Sequence, residues 1–174
     1  QSLVCINKNR AESYCSDYII EYTTAYPVWQ IIFGYQMKRE NAIIPGMEPR
    51  NLLFSPSMLG GNFSRAASEL GEIAASGADY VHLDVMDGSF VPEITFGRKF
   101  INDLRPLSDL VFDVHLMVER PEEKIAAFAD AGAGIITVHA ESTVHIIRTL
   151  MLIKEHGCEC GIAVNPGTSV PYIE

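Results

Sequence analysis

The feature that most constrains this chain is a regular alternation of strand-like and helix-like segments after residue 50. Short apolar runs are followed by segments whose apolar residues recur at helical spacing, and glycine or proline stands near the segment ends. This alternation is typical of βαβ units and predicts a parallel sheet covered by helices. Strands are predicted at 52–58, 79–86, 110–117, 134–139 and 159–165, and helices at 64–76, 98–104, 121–132 and 144–156.

Polar side chains stand where the predicted strands end. They are Ser57, His82, Asp84, His115, His139 and Asn165. Parallel α/β proteins carry their sites at this carboxyl edge, in barrels and in doubly wound sheets alike. The Gly-x-Gly-x-x-Gly turn of dinucleotide-binding folds does not follow the first predicted strand. The sequence therefore favours a (β/α)8 barrel of the TIM type, here an incomplete barrel of about five βα units.

Charge and composition narrow the classes of partner. Residues 51–174 hold eight basic and seventeen acidic residues, within a net charge of −9 for the whole chain. An acidic domain without a basic stripe argues against nucleic acid and anionic membranes as partners. We find no apolar run of the roughly 18 residues that a membrane span needs. The four cysteines match no zinc-ligand spacing, so we expect free thiols and a cytoplasmic protein.

The first 50 residues differ from the rest. They hold seven of the sixteen aromatic residues but only two of the thirteen glycines, and they show no sustained period. We expect residues 1–50 to be an atypical, disordered N-terminal extension, with a weak helical signal over 11–22. Residues 51–174 are expected to form the N-terminal portion of the barrel.

The second predicted strand carries the first candidate site residues. Alternation along a strand places His82, Asp84 and Met86 on one face. His115 ends the next strand, and Asp113, two residues earlier, could orient a neighbour. Two imidazoles and a carboxylate that converge suit a divalent metal, beside which a carboxylate can take a proton from a carbon next to a carbonyl. From spacing alone, polar packing inside a barrel is an equal alternative.

Five stretches of the chain resemble one family, the ribulose-phosphate 3-epimerases, over residues 52–174. They are Ser55-Pro-Ser-Met-Leu, His82-Leu-Asp-Val-Met-Asp-Gly-Ser-Phe-Val-Pro, Phe112-Asp-Val-His-Leu-Met-Val, Val138-His-Ala-Glu and Asn165-Pro-Gly-Thr. The resemblance implies a (β/α)8 barrel that interconverts D-ribulose 5-phosphate and D-xylulose 5-phosphate, in the pentose phosphate pathway and the Calvin cycle. It also implies a divalent metal (zinc, iron, manganese or cobalt) that holds a cis-enediolate while two aspartates act on opposite faces of the carbon.

The resemblance also assigns roles by position. It implies metal ligands at His82, Asp84 and His115, with Asp84 also the catalytic proton acceptor. It implies substrate contacts at Ser57, Met86, His115 and Met117. The competing interpretation of Ser57 is a cap on the following turn.

Other polar residues near the strand ends are interpreted as structural. We expect Asp87 to hold the Gly88 turn. His139 and Asn165 are interpreted as strand-end residues with satisfied hydrogen bonds, and Glu141 as structural.

The sequence also departs from the family pattern. The second aspartate, which the resemblance implies as fourth ligand and proton donor, and the glycine-rich phosphate loops are missing after the fifth strand. We therefore expect a truncated family member with little or no activity alone, whose longer form is an epimerase and a homo-oligomer. Two alternatives remain open, an inactive fragment and an allulose-6-phosphate 3-epimerase. An enzyme like orotidine-phosphate decarboxylase is disfavoured, because no lysine lies within residues 84–87.

Overall fold

The computed structural model of the chain describes residues 19–21 and 53–169. Its strands are β1 (Ile19–Glu21), β2 (Tyr80–Met86), β3 (Val111–Met117), β4 (Ile135–His139) and β5 (Glu159–Ala163). Its α-helices are α1 (Ala66–Ala75), α2 (Arg98–Leu104), α3 (Ile125–Asp130) and α4 (Ile146–Glu155). Short 3-10 helices lie at Met58–Gly60, Phe63–Arg65, Arg105–Leu107, Pro121–Glu123 and Ala140–Ser142. None of the described helices is both long and apolar enough to cross a membrane.

The five strands form one parallel sheet in the order β1-β5-β4-β3-β2. One α-helix follows each of β2, β3 and β4 before the next strand begins, as in βαβ units. The register between β2 and β3 sets His82 opposite Asp113 and Asp84 opposite His115. The predicted parallel α/β architecture is confirmed, and its register gathers the polar residues of two neighbouring strands.

The prediction of a full strand over 52–58 is wrong. Among the described residues, this segment contributes an isolated bridge between Ser57 and His82 rather than a continuous strand. The carbonyl of Pro56 accepts a hydrogen bond from the His82 N–H at 2.9 Å. Proline has no N–H group with which to continue the ladder. The segment nevertheless brings Ser57 to the outer edge of β2.

The N-terminal extension contributes one described element. Residues Ile19–Glu21 form β1 and pair in parallel with β5, with Ile19 opposite Gly161. The helix predicted over 11–22 is therefore wrong at these three residues, where pairing with a strand edge overrides a weak local signal. The rest of the prediction for residues 1–50 lies outside the described residues.

Both faces of β2 and β3 are buried. On one face, apolar side chains of β2 and β3 pack with apolar residues of the helices. The fully buried members are Leu70, Val81, Leu83, Ile101, Phe112, Val114, Leu116, Ile125 and Ile153. On the other face, His82, Asp84, Asp113 and His115 are also buried. These four polar side chains are therefore shielded from water and must find partners inside the protein.

Candidate active site

The structure brings His82, Asp84 and His115 together at the carboxyl edge of the sheet. One potential ligand atom from each residue lies within 4.8 Å of the others. All three side chains are buried, with 1%, 4% and 1% of their residue surfaces exposed. The convergence follows from the alternation along β2 and from the register that sets His115 beside Asp84.

The ring of His82 is fixed by two carboxylates. Its Nδ1 lies 2.8 Å from Oδ2 of Asp113, and its Nε2 lies 3.1 Å from Oδ1 of Asp84. The hydroxyl of Ser55 donates to the same Asp113 oxygen at 3.2 Å. Nδ1 is therefore engaged by Asp113, and Nε2 faces the site. A carboxylate behind a histidine is the usual way in which a protein orients a metal-binding imidazole.

Asp84 stands between the two imidazoles. Its Oδ1 also lies 3.5 Å from Nδ1 of His115, and its Oδ2 accepts a 2.6 Å hydrogen bond from the Ser57 hydroxyl. Burial opposes ionisation, but the two neighbouring imidazoles and the hydrogen bond from Ser57 hold the pKa of Asp84 well below its usual range. The Asp84 carboxyl is therefore ionised, as a metal ligand or a proton acceptor must be.

His82 faces both buried carboxylates, which favour a proton on its ring. Burial lowers the pKa of His82, but its contacts with Asp113 and Asp84 outweigh that effect and raise it well above the ordinary value. Metal ligands must be deprotonated, so a cation that binds here has to displace this proton.

Ser57 caps the following turn, as one interpretation of the sequence expected, and it also contacts Asp84. Its contact with a substrate remains a prediction. Its hydroxyl oxygen accepts the Leu59 N–H at 3.1 Å, which caps the 3-10 helix Met58–Gly60. The same hydroxyl donates a hydrogen bond to Asp84. The turn thereby fixes the hydroxyl beside the carboxylate.

Met86 and Met117 lie opposite each other at the ends of β2 and β3. Both are half-buried, and by alternation they share the sheet face of Asp84 and His115. Two thioethers beside the polar cluster provide a soft, apolar border. Their contact with a substrate remains a prediction.

The structural role expected of Asp87 is confirmed. Its Oδ1 accepts the N–H groups of Ser89 and Phe90 at 2.8 and 2.9 Å, which closes a turn with Gly88 at φ +75°. Its Oδ2 accepts the Glu119 N–H at 2.8 Å. The exposed carboxylate thus joins the turn after β2 to the turn after β3.

The sequence interpretation missed the contact between His115 and His139. Their Nε2 atoms lie 2.9 Å apart, and their ring planes differ by 16°. Burial and the neighbouring His115 lower the pKa of His139 to about 4. Within the described residues, Nδ1 of His139 and Oε2 of Glu141 lack hydrogen-bond partners, so the expectation that His139 is fully satisfied is wrong. The missed signal was that β4 is the neighbour of β3 in the sheet.

The donor set fits a divalent transition metal. Two imidazole nitrogens and one carboxylate oxygen suit zinc or a similar ion and leave a coordination position for another ligand. The nitrogen of each imidazole that faces away from Asp84 has its own partner, Asp113 for His82 and His139 for His115. His82 would ligate through Nε2 and His115 through Nδ1.

Comparison with known proteins identifies the family. Residues 53–174 match the model of the ribulose-phosphate 3 epimerase family. The chain is 48% identical over 120 residues to the ribulose-phosphate 3-epimerase of Bacillus subtilis. This alignment covers 69% of this chain and 55% of that protein. It is 46% identical over 122 residues to the Aquifex aeolicus enzyme, covering 70% and 55%. It is 39% identical over 150 residues to the chloroplastic ribulose-5-phosphate-3-epimerase of Arabidopsis thaliana, covering 82% and 53%.

These matches agree with the architecture. The chain spans about half the length of the curated relatives it matches. The family fold is a TIM barrel, and the parallel strands with their intervening helices form part of one. The chain belongs to the ribulose-phosphate 3-epimerase family.

Proposed function

We propose that the intact protein interconverts D-ribulose 5-phosphate and D-xylulose 5-phosphate as a metal-dependent isomerase. The observation that carries the proposal is the buried carboxylate of Asp84, held between His82 and His115 at the carboxyl edge of the sheet. Relatives that share 39–48% of aligned residues bear the name of this activity. The phosphorylated ketopentose is accordingly the proposed substrate.

Asp84 is the proposed proton acceptor. Epimerisation at C3 begins when a base removes the proton from this carbon, which is acidified by the adjacent carbonyl. The Asp84 carboxylate is ionised and oriented by Ser57 and the two imidazoles, so it can accept that proton. A divalent ion held by His82, Asp84 and His115 (zinc, iron, manganese or cobalt) would supply Lewis-acid stabilisation of the negative charge that develops on oxygen.

The same surroundings suggest how the substrate is held. A substrate that presents C3 to Asp84 lies within reach of Ser57, whose hydroxyl is 2.6 Å from that carboxylate. His115 lies on the other side of Asp84. Met86 and Met117 would exclude water from the reacting carbon. Ser57, His115 and the two methionines are therefore the proposed substrate-binding residues.

Replacing the proposed base tests this function. In the intact protein, we expect Asp84→Asn to slow exchange of the substrate C3 proton with solvent by at least about 10²–10⁴-fold, because the variant lacks the base. The measurement is proton NMR of D-ribulose 5-phosphate in deuterium oxide. Asp109→Asn, on an exposed residue, is the control. Undiminished exchange by Asp84→Asn would contradict the proposal. Comparison of kcat/KM for D-ribulose 5-phosphate with kcat/KM for allulose 6-phosphate separates the two epimerase activities.

Cellular location and assembly are further proposals. We propose a cytoplasmic location because Cys158 is a free thiol, which suits a reducing compartment. Burial raises the pKa of the Cys158 thiol and so disfavours its reactive thiolate form. We also propose that the intact protein forms homo-oligomers. Light scattering during size-exclusion chromatography measures the assembly directly.

A further inference from the structure

A chain of polar groups, buried at the two histidines and half-buried at its glutamate, leads from the proposed metal site to the turn after β5. It passes from His115 on β3, through His139 at the end of β4, to Glu141. We propose that His139 and Glu141 are positioning residues, which hold His115 in the tautomer whose Nδ1 faces the cation. The proposal rests on the metal site of the proposed function and adds two residues that act on it without touching the ion.

The two ring nitrogens of His115 face different groups. Nδ1 is the atom on the cation side, because it lies 3.5 Å from Oδ1 of Asp84. Nε2 points away and lies 2.9 Å from Nε2 of His139. A neutral imidazole that offers the lone pair of Nδ1 to a metal carries its proton on Nε2. The metal-binding tautomer of His115 is therefore a donor toward His139.

His139 completes the hydrogen bond to His115 through its Nε2 atom. Two ring nitrogens 2.9 Å apart form a hydrogen bond only when one of them carries a proton. With the proton on His115, Nε2 of His139 is the acceptor, and the neutral His139 ring carries its own proton on Nδ1. That atom is buried and lies 3.6 Å from Oε2 of Glu141, and neither atom has a hydrogen-bond partner among the described residues. The Glu141 carboxylate on that side thus favours the His139 tautomer that accepts from His115.

Glu141 is anchored by hydrogen bonds from the turn after β5. Its other oxygen, Oε1, accepts the Asn165 N–H at 2.7 Å and the Thr168 hydroxyl. These two donors belong to the turn after β5, whereas Glu141 lies in the 3-10 helix after β4. The Phe90 ring covers His139, with ring centroids 4.9 Å apart. The carboxylate is therefore held in place, and it links the turn after β5 to the orientation of His115.

The two imidazoles at the site are thus oriented in different ways. His82 contacts the carboxylate of Asp113 directly at 2.8 Å. His115 meets a neutral ring first, and the carboxylate of Glu141 stands behind that ring. A carboxylate that acts through an intervening ring has a weaker effect than one in contact. Loss of Glu141 should therefore disturb the site less than loss of His139.

Zinc affinity of the intact protein, measured by competition with a chromophoric chelator, tests the relay. We expect His139→Leu, which removes the acceptor, to weaken zinc binding about 10–100-fold. His139→Gln keeps a side-chain oxygen acceptor and should recover most of that loss. Glu141→Gln removes the charge and should weaken binding less than His139→Leu does. His156→Gln, on an exposed histidine, is the control and should bind zinc as the unmodified protein does.

Histidine tautomers provide a readout that a purely structural role would not change. Two-bond proton–nitrogen spectra should show His115 protonated at Nε2 in the unmodified protein and in His139→Gln, but a mixture of tautomers in His139→Leu. If His139→Leu does not fold, the comparison of Glu141→Gln with Glu155→Gln, an exposed control, decides. Unmodified protein that binds zinc, with equal affinity and tautomers in the relay variants, would overturn the relay alone. Unmodified protein that binds no zinc would overturn the proposed metal-dependent function, and the relay with it.

Discussion

His82 and His115 each turn one ring nitrogen toward Asp84 and engage the other with a buried partner. The orientation of these imidazoles is therefore fixed by the protein rather than left to the ion that they would bind. Asp113 is the clearest case, because it contacts His82 at 2.8 Å and is itself held by Ser55. Such partners set both the tautomer and the basicity of a metal ligand.

Asp113 is accordingly the first residue to change. Asp113→Asn keeps an oxygen acceptor for His82 but removes the charge that favours its Nδ1 proton. We expect zinc affinity to fall by about 10–100-fold, measured by chelator competition. Asp109→Asn, an exposed carboxylate in the same part of the chain, is the matched control. Equal affinities in the two variants would show that Asp113 does not orient His82.

Asp87 should make stability depend on pH. Slight burial raises the pKa of Asp87, but hydrogen bonds from three backbone N–H groups outweigh this effect and lower the pKa in the folded protein. A carboxyl whose pKa is lower when folded stabilises the fold above its unfolded value of about 3.9, and this contribution is lost as the pH falls through the folded value. We expect Asp87→Asn to be less stable than the unmodified protein at about pH 7.

The stability difference for Asp87→Asn should narrow below about pH 4, as Asp87 itself becomes protonated. Urea unfolding of both proteins at about pH 7 and about pH 3.5 measures it. A difference of the same size at both pH values would mean that the charge of Asp87 contributes nothing.

Among the secondary-structure elements, β4 and β5 approach each other closely at one point. Gly161 lies opposite Thr137, and a Cβ atom at Gly161 would overlap the Thr137 side chain, whose own Cβ would be 3.2 Å away. We expect Gly161→Ala to lower the free energy of unfolding by about 1–3 kcal/mol, because a buried position is overpacked. Thr137→Ala removes the overlapping atoms, so the double variant should lose less stability than the sum of the two single variants. Additive losses in urea unfolding would contradict this interpretation.

The sequence predicts the elements well where each segment has its own period. The apolar runs of β2 to β5 and the helical spacing of α1 and α4 are local signals, and the structure has these elements close to the predicted positions. The strand predicted over 52–58 fails because Pro56 cannot continue a ladder, whatever the hydrophobicity of its neighbours. The strand Ile19–Glu21 could not be predicted locally, because it depends on pairing with distant β5.

The functional site shows the same difference between local sequence signals and contacts between distant segments. Alternation along one strand predicts that His82 and Asp84 share a face, and a parallel neighbour brings His115 to them. The contact from His115 to His139, and the gap from there to Glu141, depend on the sheet order and on side-chain rotamers. A single sequence specifies neither of these directly. For that reason, candidate ligands could be predicted from the sequence, whereas the residues that orient His115 could not.

In the whole molecule, the polar cluster lies where strand ends from one sheet meet. His82 and Asp84 come from β2, His115 from β3 and His139 from β4. Turns that follow these strands and β5 are joined by the carboxylates of Asp87 and Glu141. A site assembled in this way depends on the packing of the entire sheet, as is usual at the carboxyl edge of a barrel.

The proposed chemistry requires one cation to bind among His82, Asp84 and His115. Anomalous diffraction from crystals of the intact protein grown with cobalt would locate that cation. We expect a single strong peak about 2.0–2.2 Å from Nε2 of His82, an oxygen of Asp84 and Nδ1 of His115. A fully occupied cobalt ion elsewhere, with no peak among these three side chains, would contradict it.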